Sequence, residues 1–237
     1  MPMLTHFRQR IAQKTADIHA PPVLIVALGD SVTNGMFAHY VLDQESVYHH
    51  QLWKMLCKRY PDCVFSMINA GIAGDHSQGG LARLDRDVIR HQPDLVIVGY
   101  CLNDACRGDD YMPNYTHALA EIIARTRKET HADVIVLTPN FLVTRDNDRI
   151  HPEHRAANYH EAFMKVQHGG TLARFAQAAR QTAAKHHAAV ADVFAKWESM
   201  AKLGVDTTAM LSNGLNHPNA QGQRIIADEV MKLIEAP

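Results

Sequence analysis

The sequence predicts an α/β fold with a mainly parallel sheet, and two patterns support this prediction. Apolar runs of strand length alternate along the chain with stretches in which apolar residues recur at helical spacing. The strand-length runs are apolar along their length, as expected of strands that helices cover on both faces. Because 237 residues suit one larger α/β domain and no repeat or linker interrupts the pattern, we expect residues 1–237 to form a single domain.

Five apolar runs are assigned to strands, and helical stretches separate them. In chain order, the predicted strands span residues 22–28, 64–69, 95–100, 134–137 and 189–193. Apolar residues at helical spacing follow the first strand at Leu52, Met55 and Leu56, and the third strand at Tyr115, Leu119, Ile122 and Ile123. Near the end of the chain, Asn219 is placed to cap a last helix. The apolar side of that helix is formed by Ile225, Ile226, Val230, Leu233 and Ile234.

Composition and charge narrow the functional classes. With 46% hydrophobic and 21% charged residues, the chain is unlike a disordered, collagenous or coiled-coil protein. Lys and Arg number 24 against 25 Asp and Glu, so the net charge of −1 does not indicate a nucleic-acid or anionic-membrane partner. No apolar stretch approaches the roughly 18 residues of a membrane span, and residues 1–10 lack the apolar core of a secretory leader. We therefore expect a cytoplasmic protein with neither a nucleic-acid nor a membrane partner.

The cysteines and one histidine-rich segment carry residue types that bind metals. The cysteines have neither zinc-ligand spacing nor the density of a disulfide scaffold, so we expect them to be buried as small hydrophobic residues. They are Cys57, Cys63, Cys101 and Cys106. Segment 144–160, TRDNDRIHPEHRAANYH, is either a solvated loop that leads into a helix or a lid that faces the substrate. Its His151 and His154 do not form the helical H-E-x-x-H pair, so we expect no metal site there.

A serine follows the first predicted strand in the sequence Gly29-Asp30-Ser31. Open α/β sheets bind ligands at the carboxyl ends of their strands, and Gly29 permits a turn tight enough to expose the Ser31 hydroxyl. Gly-Asp-Ser alone is a common turn sequence. The assignment of Ser31 as a nucleophile therefore depends on the residues expected beside it.

Two further turns are expected at the same edge, because parallel strands end on the same side of a sheet. Gly74 follows the second predicted strand and Asn103 follows the third. The Gly74 backbone amide and the Asn103 side-chain amide can converge near Ser31, as acyl transfer requires. Donors aimed at a developing oxyanion each lower the barrier by ~2.7–4 kcal/mol. Taken singly, both residues also fit ordinary turn and cap roles.

A histidine before the last helix is the candidate base. Pro218 fixes the turn behind His217, which suits an imidazole that must keep one orientation toward a serine hydroxyl. Nothing in the spacing of the remaining histidines sets them apart, so we expect them on the surface. They include His49, His50, His186 and His187.

These motifs together resemble the SGNH hydrolases, also called GDSL esterases and lipases. The matching stretches are Gly29-Asp30-Ser31, residues 69–75 and 79–84, Leu102-Asn103-Asp104 and His217-Pro218-Asn219, in the family's order. The resemblance covers residues 22–235. It implies a flavodoxin-like three-layer α/β/α sandwich with a mainly parallel five-stranded sheet.

The resemblance also implies the roles of the site residues. Ser31 is the expected nucleophile, and His217 is the expected general base and then general acid. The oxyanion hole is expected from the Ser31 and Gly74 backbone amides and the Asn103 side chain. No metal or organic cofactor is implied.

The chain departs from the family at one position. The family places an Asp three or four residues before its histidine, where this chain has Gly214 and Asn213. Asn213 cannot supply the negative charge that stabilises an imidazolium, and its amide can present the wrong group to the ring. Either the Asn213 oxygen or a backbone carbonyl orients His217, or another acid such as Asp206 or Asp192 substitutes, or the protein is weak or inactive.

The sequence therefore predicts a serine esterase that removes a short acyl group, with acetyl as the expected group, through an acyl-enzyme intermediate. The polar character of segment 144–160 favours a small-molecule or carbohydrate ester over a long lipid chain. The alternative, which Asn213 motivates, is a catalytically weak or inactive binding module on the same scaffold.

Overall fold

The computed structural model describes residues 4–236 and contains one parallel sheet of five strands in the order β2-β1-β3-β4-β5. The strands are β1 Val23–Gly29, β2 Phe65–Gly71, β3 Leu95–Gly99, β4 Asp133–Leu137 and β5 Ala189–Ala191. Their bounds lie within two residues of those predicted. The α/β class and the five-stranded parallel sheet are therefore confirmed.

Helices cover both faces of the sheet. They are α1 Thr5–Ala16, α2 Ser31–Asn34, α3 Tyr48–Arg59, α4 Ser77–Ala82, α5 Leu84–Asp87, α6 Leu102–Ala105, α7 Met112–Glu129, α8 Pro152–Ala156, α9 Tyr159–His168, α10 Thr171–Lys185, α11 Val193–Lys202 and α12 Ala220–Glu235. Short 3₁₀ turns span Ile89–His91, Asp109–Tyr111 and Thr208–Met210. None of the helices within residues 4–236 is long and apolar enough to cross a bilayer.

The two helical layers follow from the strand order. The connection from β1 to β2 crosses the sheet in one direction, and the connections that lead to β3, β4 and β5 cross it in the opposite direction. Because parallel crossovers are right-handed, these opposite steps place their helices on opposite faces. Accordingly, α3 packs against α12 in one layer, and α7 packs against α4 and α10 in the other.

The strands differ in burial according to their place in the sheet. The central strands β1, β3 and β4 are almost entirely buried, which explains their uninterrupted apolar sequence. The prediction that all five strands are covered on both faces is wrong for β2, where Ser66 and Asn69 are exposed. The reason is that β2 is an edge strand with a neighbour on one side only.

The predicted helices are present, and the last one is capped as expected. The Asn219 side chain accepts a hydrogen bond from the Gly222 backbone N–H at 2.9 Å, and Ile226, Val230 and Ile234 face the core. Ile225 is only partly buried.

Two expectations about burial are wrong. Cys63 and Cys101 are buried, but Cys106 is exposed at the end of the short helix α6. His49 is buried rather than on the surface, and its Nε2 lies 3.0 Å from the Thr33 carbonyl oxygen. The single domain, the cytoplasmic location and the absence of a secretory leader in residues 1–10 stay predictions, and residues 1–3 lie outside the described residues.

Candidate active site

The candidate site lies at the carboxyl ends of β1, β2 and β3. In the sheet, β2 lies on one side of β1 and β3 lies on the other, so the strand order reverses at β1. Such a reversal opens a crevice at the carboxyl ends of the strands in parallel sheets. Gly29 is the last residue of β1 and lies between β2 and β3. A methyl group on Gly29 would lie 2.2 Å from Thr33 Oγ1 and 2.7 Å from the Gly99 carbonyl oxygen. Only glycine therefore allows this turn to pack against β3.

Ser31 is the first residue of the one-turn helix α2. Asp30 caps this helix, because its Oδ1 accepts a hydrogen bond from the Val32 backbone N–H at 2.9 Å. Asp30 is buried, and burial raises its pKa to about 7, with smaller contributions from the nearby carboxylates Asp104 and Asp75.

The structure brings Ser31 and His217 together from opposite ends of the chain. Ser31 Oγ lies 3.0 Å from His217 Nε2, within hydrogen-bonding distance. Both side chains are largely buried, at 5% and 7% exposure. The pair has the nucleophile and base geometry of acyl-transfer enzymes.

The loop that carries His217 is folded around the Asn213 side chain. Asn213 Oδ1 accepts hydrogen bonds from the backbone N–H groups of Leu215, Asn216 and His217, each at 3.0 Å. Asn213 itself is buried, at 4% exposure. The Ser212 N–H donates to the His217 carbonyl at 2.8 Å and closes the loop.

These three backbone donors decide which group Asn213 presents to the imidazole. With Oδ1 turned toward the backbone, Nδ2 donates to His217 Nδ1 at 3.1 Å and to Asn216 Oδ1 at 2.9 Å. The reverse amide orientation would point an NH₂ group at three N–H donors and lose three bonds of about 1 kcal/mol each. Nδ1 therefore acts as an acceptor, and the single proton of the neutral ring lies on Nε2, which donates to Ser31.

Of the other groups that could orient His217, the Phe37 backbone carbonyl lies beside the ring and acts to raise the pKa of His217, against the larger effect of burial. The alternative in which the Asn213 oxygen holds the ring is wrong, since that oxygen accepts three backbone N–H bonds. Asp206 pairs with Arg145, and Asp192 pairs with Arg180 at 2.8 Å. At the position where the family has an Asp, this chain therefore has the Asn213 amide, which donates a hydrogen bond to His217 Nδ1.

Burial without a carboxylate partner lowers the pKa of His217 to about 4, and the nearby His154 contributes in the same direction. The ring is therefore neutral at pH 7. An imidazolium in this position has no anion beside it to stabilise it.

Gly74 and Asn103 lie at the same cavity as the Ser31–His217 pair. All four residues line a cavity of about 180 Å³. Gly74 has a φ of 75°, a left-handed conformation that glycine adopts without strain. One N–H of Asn103 Nδ2 donates to the Asp75 carbonyl at 2.7 Å, which fixes the amide and leaves its second N–H for another acceptor.

Sequence reasoning assigned no role to Arg83, although it lies within the matching motif. Its guanidinium donates to the Gly29 carbonyl at 2.9 Å, the Ala70 carbonyl at 2.7 Å and Asp75 Oδ2 at 2.9 Å. Arg83 therefore joins the ends of β1 and β2 to the Gly74-Asp75 turn. The available signal was a single cation directly after a run of small and apolar residues, Gly79-Gly80-Leu81-Ala82-Arg83.

Segment 144–160 reaches the cavity. Ile150 is buried, and the Arg149 guanidinium donates to the Thr208 and Ala209 carbonyls at 2.8 and 2.9 Å, which fixes the segment against the protein. His154 and Tyr159 line the same cavity as Ser31. The segment therefore has features of both interpretations, because most of its residues are exposed and it leads into α8, whereas His154 and Tyr159 line the cavity.

Comparison with known proteins places this geometry in a family. A family model described as the GDSL-like lipase/acylhydrolase family matches residues 27–225. A protein named thioesterase 1/protease 1/lysophospholipase L1 from Escherichia coli K12 is 28% identical over 142 residues, 60% of this chain and 58% of that protein. An arylesterase of Vibrio mimicus is 32% identical over 122 residues, 49% of this chain and 56% of that protein. The chain thus spans less than three fifths of these relatives.

Solved structures show the same fold. An acetylxylan esterase from Geobacillus stearothermophilus has a TM-score of 0.70 at 20% identity, covering 90% of this chain and 94% of that one. An α/β hydrolase enzyme from the metagenome of Lake Arreo, Spain, has a TM-score of 0.68 at 24% identity, covering 90% and 95%. Because the family model matches most of the sequence, the resemblance to the SGNH hydrolases is confirmed, and the chain belongs to the GDSL-like lipase/acylhydrolase family.

Proposed function

We propose that this protein is a carboxylic ester hydrolase in which Ser31 is the nucleophile and His217 is the proton-transfer group. The observation that supports the proposal most strongly is the 3.0 Å approach of Ser31 Oγ to His217 Nε2 in a cavity that Gly74 and Asn103 also line. Hydrolases are also what the names of its relatives describe.

The reaction proceeds in two halves. In the first, once the ring proton has moved from Nε2 to Nδ1, Ser31 Oγ attacks the ester carbonyl and gives its proton to Nε2 of His217, which returns that proton to the departing alcohol oxygen. The product is an acyl ester on Ser31. In the second half, a water molecule gives a proton to His217 and attacks the acyl carbonyl, and the proton returns to Ser31 Oγ as the acid leaves.

The negative charge that develops on the carbonyl oxygen requires donors. The free N–H of Asn103 and the backbone amides of Ser31 and Gly74 are the proposed donors. Asn103 is suited to this role because its contact with the Asp75 carbonyl holds the amide in place before the substrate arrives.

Asn213 is expected to make the proposed esterase slow. General-base action needs a free lone pair on Nε2, and therefore a proton on Nδ1. The Asn213 amide favours the opposite tautomer, because Nδ2 donates to Nδ1. In serine proteases, the corresponding Asp-to-Asn change lowers kcat about 10⁴-fold, leaving catalysis that is still measurable over water.

The proposed acyl group is short, with acetyl the expected one. The cavity of about 180 Å³ is smaller than the ~300–1,000 Å³ of sites that enclose drug-sized ligands. The relatives' names describe thioesters, lysophospholipids, aryl esters and acetylxylan, so the size of the cavity, rather than these names, is what supports a short acyl group.

A carbohydrate is the proposed alcohol portion. The tyrosines Tyr40 and Tyr159 line the cavity with 78% and 48% of their surface exposed. Their rings offer an apolar face with a hydroxyl at its edge, which suits a polar ring that stacks and accepts hydrogen bonds.

Two assays test the proposal. A serine-directed phosphonate followed by mass spectrometry should label Ser31, and Ser31→Ala should lose both the label and ester hydrolysis at an unchanged Tm. Aryl esters of increasing chain length should show kcat/KM highest for acetyl and propionyl. A kcat/KM that rises steadily to octanoyl would contradict the short-chain proposal, and more than about a tenth of kcat in Ser31→Ala would contradict the nucleophile.

Binding of an ester or sugar without cleavage is a second candidate function, and one observation favours it. The amide of Asn213 donates to the ring nitrogen that a triad acid would bind, as expected of a scaffold that binds an ester or sugar without cleaving it. A chain that binds acetylated oligosaccharides, yet gives neither a label nor turnover, would establish this binding function.

A further inference from the structure

A cluster of imidazole rings and one carboxylate lies at the mouth of the cavity, apart from the residues of the proposed reaction. His39 lies between α2 and α3, whereas His151 and Glu153 lie at the start of α8. One ligand atom from each of these three side chains lies within 4.8 Å of the others. The chain therefore brings together two imidazoles and a carboxylate that are far apart in sequence.

The distances within the cluster suit a small cation. His39 Nε2 is 3.3 Å from Glu153 Oε2, and the His39 and His151 rings stack with centroids 3.7 Å apart. Ligands of a tetrahedral ion with bonds of ~2.0–2.1 Å are separated by about 3.4 Å. Because the nitrogen lone pairs lie in the ring planes, His151 must rotate out of its stack on His39 before both rings can bind one ion, and Glu153, whose side chain is 70% exposed, can adjust to either arrangement.

A fourth residue fixes the tautomer of His39. Its Nδ1 lies 3.3 Å from His154 Nε2. When Nε2 of His39 binds a metal, Nδ1 carries the proton and donates it to His154. Histidine ligands of metals almost always donate their other N–H to an outer acceptor, mostly a carboxylate, a carbonyl or water, and His154 takes this place here; loss of the outer acceptor usually weakens metal binding 10–100-fold.

One existing contact is given up on metal binding. The Glu153 backbone N–H donates to His151 Nδ1 at 3.4 Å, a long bond at the start of α8. If Nδ1 of His151 binds the cation, the metal takes the place of this N–H donor. If Nε2 binds the cation, Nδ1 carries the ring proton and can no longer accept the hydrogen bond. The energetic loss is small, because a bond of this length is weak.

We propose that His39, His151 and Glu153 form a binding site for a divalent transition metal of the zinc type. Two imidazoles and a carboxylate are ligands that Zn²⁺, Co²⁺ and Ni²⁺ accept, whereas Mg²⁺ and Ca²⁺ prefer sets made of oxygen. Three protein ligands leave at least one coordination position open to water or to a substrate oxygen.

The position of the site gives the metal a structural consequence. His39 and the outer partner His154 both line the cavity that contains Ser31. A cation held by His39 and by the start of α8 ties together two segments that are distant in sequence and that both contribute residues to the cavity lining. Metal binding therefore fixes the mouth of the cavity, and it does so whether or not Ser31 is catalytic.

Calorimetry on the untagged full chain, first stripped with a chelator, tests the proposal with ZnCl₂ as the probe. We expect one Zn²⁺ per chain and a Tm that rises with Zn²⁺. His151→Gln and His39→Gln should each weaken binding roughly 100-fold or more, and His154→Gln should weaken it about 10-fold. MgCl₂ should give no binding at the same concentrations.

A matched control removes two histidines elsewhere. His186 and His187 precede β5, at the edge of the sheet opposite the cavity, and the double variant His186→Gln/His187→Gln should bind Zn²⁺ like the unaltered chain. The Tm of each variant without metal shows whether it is folded. Absence of saturable 1:1 binding up to about 1 mM Zn²⁺, or binding that is unchanged in folded His151→Gln and His39→Gln, would overturn the proposal.

Discussion

Replacing Asn213 by Asp tests the reasoning about His217 most directly. In Asn213→Asp, one carboxylate oxygen takes the place of Oδ1 and keeps the three backbone N–H donors at 3.0 Å. The other takes the place of Nδ2, 3.1 Å from His217 Nδ1. Asn216 then turns its amide to donate instead of accepting. Because every oxygen position has donors, the new carboxylate stays ionised despite its burial.

The magnitude follows from Coulomb's law. Opposite unit charges about 4 Å apart interact by about 4 kcal/mol at an effective dielectric constant near 20. This energy stabilises the imidazolium that forms in the transition state, and at 1.36 kcal/mol per decade it corresponds to roughly 10³-fold in rate. The carboxylate also favours the Nδ1–H tautomer that the Asn213 amide disfavours. We therefore expect kcat to rise by at least tenfold and by up to about 10⁴-fold.

Steady-state hydrolysis of an aryl acetate from pH 4 to 9 measures both effects. In the unaltered chain, kcat/KM should fall only as the pH drops through about 4, because His217 accepts the Ser31 proton only when it is neutral. In Asn213→Asp, this fall should move toward neutral pH, because the carboxylate raises the pKa of His217. The variant Ser31→Ala/Asn213→Asp should be inactive.

Asn216→Asp is the matched charge control. It adds a carboxylate to the same loop, beside Asn213 rather than beside the ring, and should give a much smaller gain in kcat. If Asn213→Asp changes kcat by less than about threefold with an unmoved pH profile, the proposed effect of the Asn213 amide on the tautomer is refuted. A loss of activity at an unchanged Tm would mean that the donated hydrogen bond itself assists the reaction.

Further predictions concern the oxyanion donor and the buried acid behind the nucleophile. Asn103→Ala should lower kcat by roughly 10²–10³-fold with little change in KM, since the amide faces charge that exists only in the transition state; an effect on KM alone would assign Asn103 to substrate binding. In the folded protein the pKa of Asp30 is about 7, above its ordinary value of 3.8. The contribution of Asp30 to the free energy of unfolding is therefore fully present below pH 3.8 and is lost as the pH rises through 7. Asp30→Asn keeps an oxygen for the Val32 N–H and does not ionise. Its Tm relative to the unaltered chain should therefore increase from pH 4 to pH 8, and a pH-independent difference would contradict the burial argument.

Several features of the site follow from the sequence because they are local. A glycine at a strand end, an aspartate before a helical turn and a histidine before a proline each reflect the backbone geometry of a few residues. The parallel sheet then brings Ser31, Gly74 and Asn103 to one edge, because parallel strands end on the same side. Burial of His49 and the role of Arg83 could not be read in this way, since they depend on which carbonyls the folded strands and helices place beside them.

The sequence by itself determined the fold class, the order of the strands along the chain and the Asn at the acid position. Only the tertiary structure decided what that Asn does. An amide presents either an oxygen or an NH₂ group, and the choice depends on three backbone N–H groups that the loop aligns on one side of Asn213. The structure alone also joined His39 to His151 and Glu153. Spacing rules for metal ligands describe residues within one segment, whereas this cluster forms only when two segments fold against each other at the mouth of the cavity.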